Sequence, residues 1–490
     1  MRSHRSSTRA THVVALLAAW SSVAVLVGTV ALMTVTSWRV AGEGRPFSLL
    51  DETVHADTAF KVHHGHYPFR GAQIDQETVD TWTCYTGHGY VKWSAGCHTK
   101  ESRPANIPSG SFTTGYIHYP TYFLGGEVFR QVHDRILGAP RFAVDTYRQY
   151  AAVVNLLGVL ACAAMAWRLG LRRSSLLAGA LAPVAAVGIL QFSIMVNPMS
   201  AAPLCGALIA GFGIRWVLSG RGFWWLAAAT AFAAGIAVTS SLPGGVFLLA
   251  CLLGMAARWR GHEFAGGWAP RWWHAGVLAA ILVAPILVFG VWTGHRATMT
   301  NDELYAGYLV ADWSKVWLGA WSELFNLHDP WTADTDVLPT SLSLPRSFAR
   351  AAGQTLHRPV TVVVLGMLVA VVTGVVGRQL RAGATQEPAT QRAEQPEQAA
   401  PATAERAPSS PLRLLSAATL LGLLLYPPLL RISNAVNVGI DYQVVARYSI
   451  SLAPLIVLVV LLMTKDHPWF ARVVATLATI SVVSWSLTVW

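Results

Sequence analysis

Apolar runs of about 20 residues recur along the whole chain and alternate with polar segments that carry most of its charge. A helix that crosses a bilayer needs a run of this length, because backbone groups in hydrocarbon must be satisfied within the helix. Of the 490 residues, 53% are hydrophobic and only 12% are charged, which excludes a soluble globular protein. The sequence therefore predicts an all-α membrane protein with about eleven transmembrane helices.

The predicted spans follow one another from the first residues of the chain to the last. They are residues 12–38, 149–167, 174–196, 201–217, 223–240, 246–257, 274–293, 360–377, 414–430, 448–463 and 473–490. The first span is too long for a signal-peptide core and lacks a convincing cleavage site, so we expect a retained anchor.

The basic residues indicate the orientation of the spans. The formal net charge is +11, but the positive residues form small clusters at the ends of apolar runs. Arg2, Arg5 and Arg9 precede the first span, and Arg172 and Arg173 follow the second. This is the positive-inside pattern and not a nucleic-acid-binding patch. We expect a cytoplasmic amino terminus and no nucleic-acid partner.

The resulting organisation has two large extracytoplasmic loops. Residues 1–38 form the cytoplasmic amino terminus and first span, 39–148 the first loop, 149–294 spans two to seven, 295–358 the second loop, 359–381 the eighth span, and 414–490 the last three. Residues 382–413 are rich in Ala, Pro, Gln and Glu without aromatic residues, which is typical of a disordered linker, here cytoplasmic.

The acidic residues concentrate in the two loops, and apart from span edges no Asp, Glu, Lys or Arg lies within a predicted span. This argues against a proton-coupled carrier. Soon after the first span, Asp51 and Glu52 are followed by His55. In a helix, Asp51 and His55 share a face. A partly desolvated carboxylate there could act as a general base or bind a divalent cation; ordinary solvated loop charges are the alternative.

Two further segments could bind a substrate. His118, Tyr119 and Tyr122 belong to an aromatic stretch before the second span, where rings could pack on sugars or isoprenoid chains or simply form an interface belt. Arg447 and Tyr448 stand where the last short outer loop enters a span. An arginine in a partly dry site suits bidentate phosphate binding, whereas snorkelling to the interface is the alternative.

The five cysteines fall into two groups. Cys162, Cys205 and Cys251 lie within apolar runs, which is typical of packing residues. Cys84 and Cys97 share the first loop and are close enough to form a local disulfide if that loop faces an oxidising compartment.

Three features in this order resemble a known family: an Asp-Glu-x-x-His motif just outside the first helix, a Tyr-Pro segment before the second, and an Arg-Tyr pair entering a late helix with a proline beyond. The chain is similar to an uncharacterised family of bacterial membrane proteins in the GT-C superfamily of glycosyltransferases. The resemblance implies a transferase in a bacterial plasma membrane, moving a sugar from a polyprenyl-phosphate donor to an extracytoplasmic cell-envelope acceptor.

The resemblance also implies roles for individual residues. Asp51 would be the catalytic base or metal ligand, with Glu52 as its alternative, beside His55. Arg447 would hold the lipid phosphate, with Tyr448 as its neighbour. A divalent cation, Mg²⁺ or Mn²⁺, is the one cofactor that this leaves open.

Two other functional classes are compatible with the sequence. A lipid or glycan transporter or flippase would often show internal repeats and interrupted helices, and we find no clear repeat. A non-catalytic membrane scaffold would use the linker to recruit partners. Convergence of Asp51, Glu52, His55 and Arg447 on one pocket would favour the enzyme, whereas their dispersal would favour a scaffold or transporter.

Overall fold

The computed structural model describes residues 4–48, 51–84, 97–107, 110–305, 310–324, 330–332, 365–366, 368–369 and 410–489, with side chains from residue 20 onward except at 437. These residues form α-helices, short 3₁₀ segments and no β-strand. The helices are α1 His4–Ala41, α2 Glu52–His63, α3 Gln76–Cys84, α4 Pro120–Leu137, α5 Ala143–Arg168, α6 Ser174–Leu181, α7 Val187–Leu190, α8 Ala202–Ser219, α9 Phe223–Ile236, α10 Leu242–Trp259, α11 Trp272–His295, α12 Asn301–Leu304, α13 Trp313–Glu323, α14 Pro411–Asn437, α15 Ala453–Met463 and α16 Pro468–Val489.

Among the described residues, eight helices are long and apolar enough to cross a membrane. They correspond to α1, α5, α8, α10, α11, α14, α15 and α16, in several cases extended by an adjoining 3₁₀ turn. The chain is thus an all-α membrane protein with several candidate spans. The expected fifth span is the shorter apolar helix α9, and the expected eighth lies almost wholly outside the described residues, as does most of the linker 382–413. The count of eleven stays a prediction.

The expected third span, residues 174–196, is a helix pair bent by 67°. The first half ends at Val184 and the second begins at Val187, so backbone carbonyls at the bend lose their helical partners. The Trp331 indole N–H donates to the Ala182 oxygen at 2.8 Å, and the Ser481 hydroxyl donates to that of Ala185. Protein side chains therefore form hydrogen bonds to these two carbonyls, and the residues around the bend are buried.

Small residues let the spans approach closely. A methyl group added at Gly206 in α8 would collide with the carbonyl oxygen of Ser451, in the 3₁₀ segment Ala446–Leu452. Because lipid gives helices no hydrophobic reason to associate, such close backbone packing is a main source of their affinity. This contact fixes the position of the segment that carries Arg447.

The first loop is folded and contains α2, α3 and α4. Lys61 of α2 lies 2.8 Å from both carboxylate oxygens of Asp57 and 2.9 Å from Asp75 Oδ1, which joins α2 to the segment before α3. Cys84 and Cys97 form a disulfide. These links join α2 to the segment before α3 and the end of α3 to Cys97.

Candidate functional site

One cavity of about 210 Å³ lies where the span ends meet the folded first loop. Six of the residues singled out in the sequence line it: Asp51, His55, His118, Tyr119, Arg447 and Tyr448. Tyr116 and Ile117 of the first loop also line it, and further wall residues, including Thr239, Thr293 and Leu430, come from the ends of predicted spans. Segments almost 400 residues apart thus converge, with Arg447 and Asp51 separated by 396 positions.

Asp51 is held in a backbone conformation that few residues other than glycine adopt. Its φ of 61° and ψ of 13° lie in the left-handed region, at the residue just before α2. Aspartate tolerates this region better than most residues, but the conformation still costs about 1–2 kcal/mol. Such strain clusters at functional sites, where it aims a side chain that a relaxed backbone would turn away. Here it directs the carboxylate to the cavity.

Arg447 provides the positive charge of the cavity. It enters on the 3₁₀ segment that precedes α15, and only 6% of the residue is exposed. Its Nη2 donates to Asp51 Oδ2 at 2.8 Å, while the Asp51 side chain is 55% exposed. The guanidinium carbon also lies 5.5 Å from the centre of the Tyr448 ring. A buried guanidinium thus meets a carboxylate that solvent reaches.

Two neutral histidines lie beside this pair. The rings of His55 and His118 are 4.4 Å apart between centres. Burial, with the positive charge of Arg447 nearby, lowers the pKa of His118 to about 4, and burial lowers that of His55 well below 6.5. His55 Nδ1 is buried and has no hydrogen-bond partner among the described residues. An unsatisfied buried nitrogen is costly, so this atom is suited to a substrate hydrogen bond.

The two tyrosines of the aromatic segment have different surroundings. Tyr119 lines the cavity and also an adjoining apolar groove of about 380 Å³ between the start of α4 and the helices α9 and α11. Its ring meets Phe289 edge to face at 4.6 Å between centres. Tyr122 does not line the cavity: it is fully buried and accepts a hydrogen bond from Ser200 at 3.1 Å.

Glu52, the expected alternative to Asp51, also lies outside the cavity wall. It is 1% exposed, and Arg148 binds both carboxylate oxygens, with Nε at 2.7 Å and Nη2 at 3.0 Å. The backbone N–H groups of Ser48 and Val196 donate to it at 2.7 and 3.0 Å. All four donors occupy the carboxylate, so Glu52 fixes the start of α2 against α5 and thereby positions Asp51. It is not available as a base.

The residues present do not fit the divalent cation that the resemblance left open. Mg²⁺ and Mn²⁺ prefer several carboxylate or carbonyl oxygens, and Asp51 is the one acidic side chain on the described cavity wall. Its neighbour at 2.8 Å is the guanidinium of Arg447, which repels a cation. The one described cluster with metal-ligand spacing is Cys84, Cys97 and His98, and its two sulfurs are joined in the disulfide.

Several cavity residues were not singled out in the sequence. Asn197 lies on the wall and caps the turn after it by accepting from the Met199 N–H at 2.9 Å. Ser433 and Asn434 reach the wall from the last turns of α14. A signal existed for Asn197, since an asparagine followed by proline is typical of a capped helical turn. The polar pair at the end of an apolar run had no such signal.

No protein-family model matches the chain, and no curated protein sequence matches it significantly. A functional assignment must therefore rest on the chemistry of the cavity.

Proposed function

We propose that the chain is a GT-C-type glycosyltransferase that moves a sugar from a polyprenyl-phosphate donor to a cell-envelope acceptor. The observation that carries the proposal is the meeting of Asp51 and Arg447 in one cavity at the ends of the membrane helices. The proposal puts the protein in a bacterial plasma membrane with the cavity on the extracytoplasmic side. The arrangement of arginines at the span ends supports this orientation.

In the proposal, donor binding exchanges the anion on Arg447. A buried guanidinium needs a counter-ion, and Asp51 fills that role when no donor is bound. The donor phosphate offers two or more oxygens to the planar guanidinium and carries a negative charge, so it competes with the Asp51 carboxylate for Arg447. The phosphate then pairs with Arg447, and Asp51 is released beside the sugar.

The transfer step follows from these positions. The acceptor hydroxyl oxygen bonds to the anomeric carbon, and the bond from that carbon to the phosphate oxygen breaks with its electron pair. The hydroxyl proton passes to the Asp51 carboxylate, and Arg447 stabilises the charge on the departing lipid phosphate. His55 and His118, uncharged at neutral pH, donate or accept hydrogen bonds to the sugar without repelling Arg447.

In the proposal, the groove beside Tyr119 binds the lipid part of the donor. Its walls are apolar and include Pro285, Val288 and Trp292 of α11. Val288 is 70% exposed, which in a membrane means contact with lipid. Because Tyr119 and Phe289 line both spaces, an isoprenoid chain in the groove would bring its phosphate to the cavity.

A transporter would use an interrupted helix to bind its cargo, and the bent helix pair is the described feature of this kind. The carbonyls of Ala182 and Ala185 at the bend are bonded by Trp331 and Ser481, so they are not aimed at a cavity. This favours the enzyme over the transporter.

The test is transfer in vitro by the full chain in lipid nanodiscs, using a panel of polyprenyl-phosphate sugars and envelope glycan acceptors with product analysis. We expect product from the unchanged protein and loss of transfer in Asp51→Asn and Arg447→Gln. The matched controls, Asp302→Asn and Arg135→Gln, change exposed residues outside the cavity and should keep full activity. Full activity in both cavity variants, or no product from any donor, would contradict the proposal.

A further inference from the structure

Helix α13 exposes tryptophans on one face. Trp313, Trp317 and Trp321 are spaced four residues apart, so they share a side of the helix. They are 46%, 59% and 65% exposed. On a different side lie the exposed polar residues Lys315 and Ser322, with Leu318 between the two faces.

The third face of α13 anchors it to a candidate span. Val316, Ala320 and Glu323 are buried against α14. Glu323 Oε1 accepts from Arg431 Nη1 of α14 and from the Val444 N–H, each at 3.3 Å. Since Arg431 also donates to Asp441 at 2.8 Å, a charged network fixes the helix in one position.

This anchor places α13 beside the end of a candidate span. Arg431 lies near the end of the candidate span Pro411–Val436. Its neighbours Leu430, Ser433 and Asn434 line the cavity. The helix thus packs on the last turns of a span, at the same end of the molecule as the cavity. The ends of membrane-spanning helices lie where a bilayer changes from hydrocarbon to headgroups.

We infer that α13 is an interfacial helix whose tryptophan face lies in the headgroup region of the leaflet on the cavity side. An exposed row of three indoles is unfavourable in water, whereas the interface accommodates their apolar rings and their N–H groups together. The polar face with Lys315 and Ser322 then lies toward water, as in other amphipathic helices at a membrane surface. This anchoring does not depend on any catalytic role of the cavity.

The test measures the depth of single nitroxide labels by electron paramagnetic resonance. The full chain is reconstituted in vesicles of phosphatidylcholine and phosphatidylglycerol, with Trp317→Cys on the tryptophan face and Lys315→Cys as the matched polar-face site. Unsubstituted protein gives the background, since Cys162, Cys205 and Cys251 are buried. Trp313→Cys replaces Trp317→Cys if that variant does not fold.

We expect the ratio of oxygen to nickel-complex accessibility to be several-fold higher at position 317 than at position 315. Equal access of the nickel complex to both positions would mean that the tryptophan face meets water, and the inference would be wrong. Protection of position 317 from both reagents would mean that another protein surface covers it, which also overturns the inference. Neither result bears on sugar transfer.

Discussion

Glu52 and Asp51 are adjacent carboxylates, and we predict opposite effects on stability and transfer when each is replaced by the corresponding amide. In Glu52→Gln one oxygen becomes an NH₂ group, so at least one of the four N–H donors around Glu52 meets another donor. Arg148 also loses the carboxylate that it contacts at 2.7 and 3.0 Å, and Asp145 is farther away, at 3.5 Å. Removing one partner of a buried ion pair costs about 3–5 kcal/mol. In Asp51→Asn the amide oxygen can still accept from Arg447, and the replaced side chain is 55% exposed, so we expect a smaller loss of stability than in Glu52→Gln.

The assay is thermal unfolding of both variants in the same detergent, followed by transfer activity at a temperature where each remains folded. Glu52→Gln should lower the unfolding midpoint by several degrees and retain measurable transfer per folded molecule. Asp51→Asn should unfold at a higher temperature than Glu52→Gln and lack transfer. If Glu52→Gln were as stable as the unchanged protein and inactive, Glu52 would be part of the chemistry and our interpretation of its role would be wrong.

Two further predictions concern packing and pH. Gly206→Ala should lower the unfolding midpoint and the transfer rate, because the new methyl group collides with the Ser451 carbonyl. The control Gly245→Ala places its methyl group in open space and should be neutral or slightly stabilising. Equal midpoints and rates in the two variants would contradict the close approach at Gly206. His118 stays neutral when folded, so its contribution to stability is complete above pH 6.5 and declines as the pH falls toward about 4. Between about pH 7 and about pH 5 the unchanged protein should lose more stability than His118→Gln, by on the order of 1 kcal/mol, while the lowered pKa of His55 acts in both. An equal loss in both would contradict the lowered pKa of His118.

The spans could be predicted from the sequence because hydrocarbon imposes one simple requirement on the backbone. A run of apolar residues therefore marks most of the described membrane helices, including α5, α8 and α11. The bend between residues 184 and 187 escaped prediction, since its freed carbonyls are satisfied by Trp331 and Ser481 from distant segments. The local sequence there is as apolar as that of a straight helix, and the one local signal of a break was Pro183, since proline ends or kinks helices.

Part of the cavity wall could be predicted from the sequence, but the different roles of neighbouring residues could not. Asp51, His55 and Arg447 stand at span ends that the positive-inside pattern puts on one face, so their convergence could be expected. Glu52 could not be separated from Asp51 by its neighbours in sequence. Its partner Arg148 is 96 residues away, and only the folded chain brings them together.

In the proposed mechanism Arg447 binds the donor phosphate, and Asp51 pairs with Arg447 until the donor is bound. Binding of a short-chain polyprenyl phosphate to the full chain in nanodiscs tests this directly. We predict that Arg447→Gln weakens binding by at least about tenfold, since a charged hydrogen bond contributes about 1.5–3 kcal/mol. Asp51→Asn, which removes the competing anion, should bind at least as tightly as the unchanged protein. Unchanged affinity in Arg447→Gln, or clearly weaker binding in Asp51→Asn, would contradict the account.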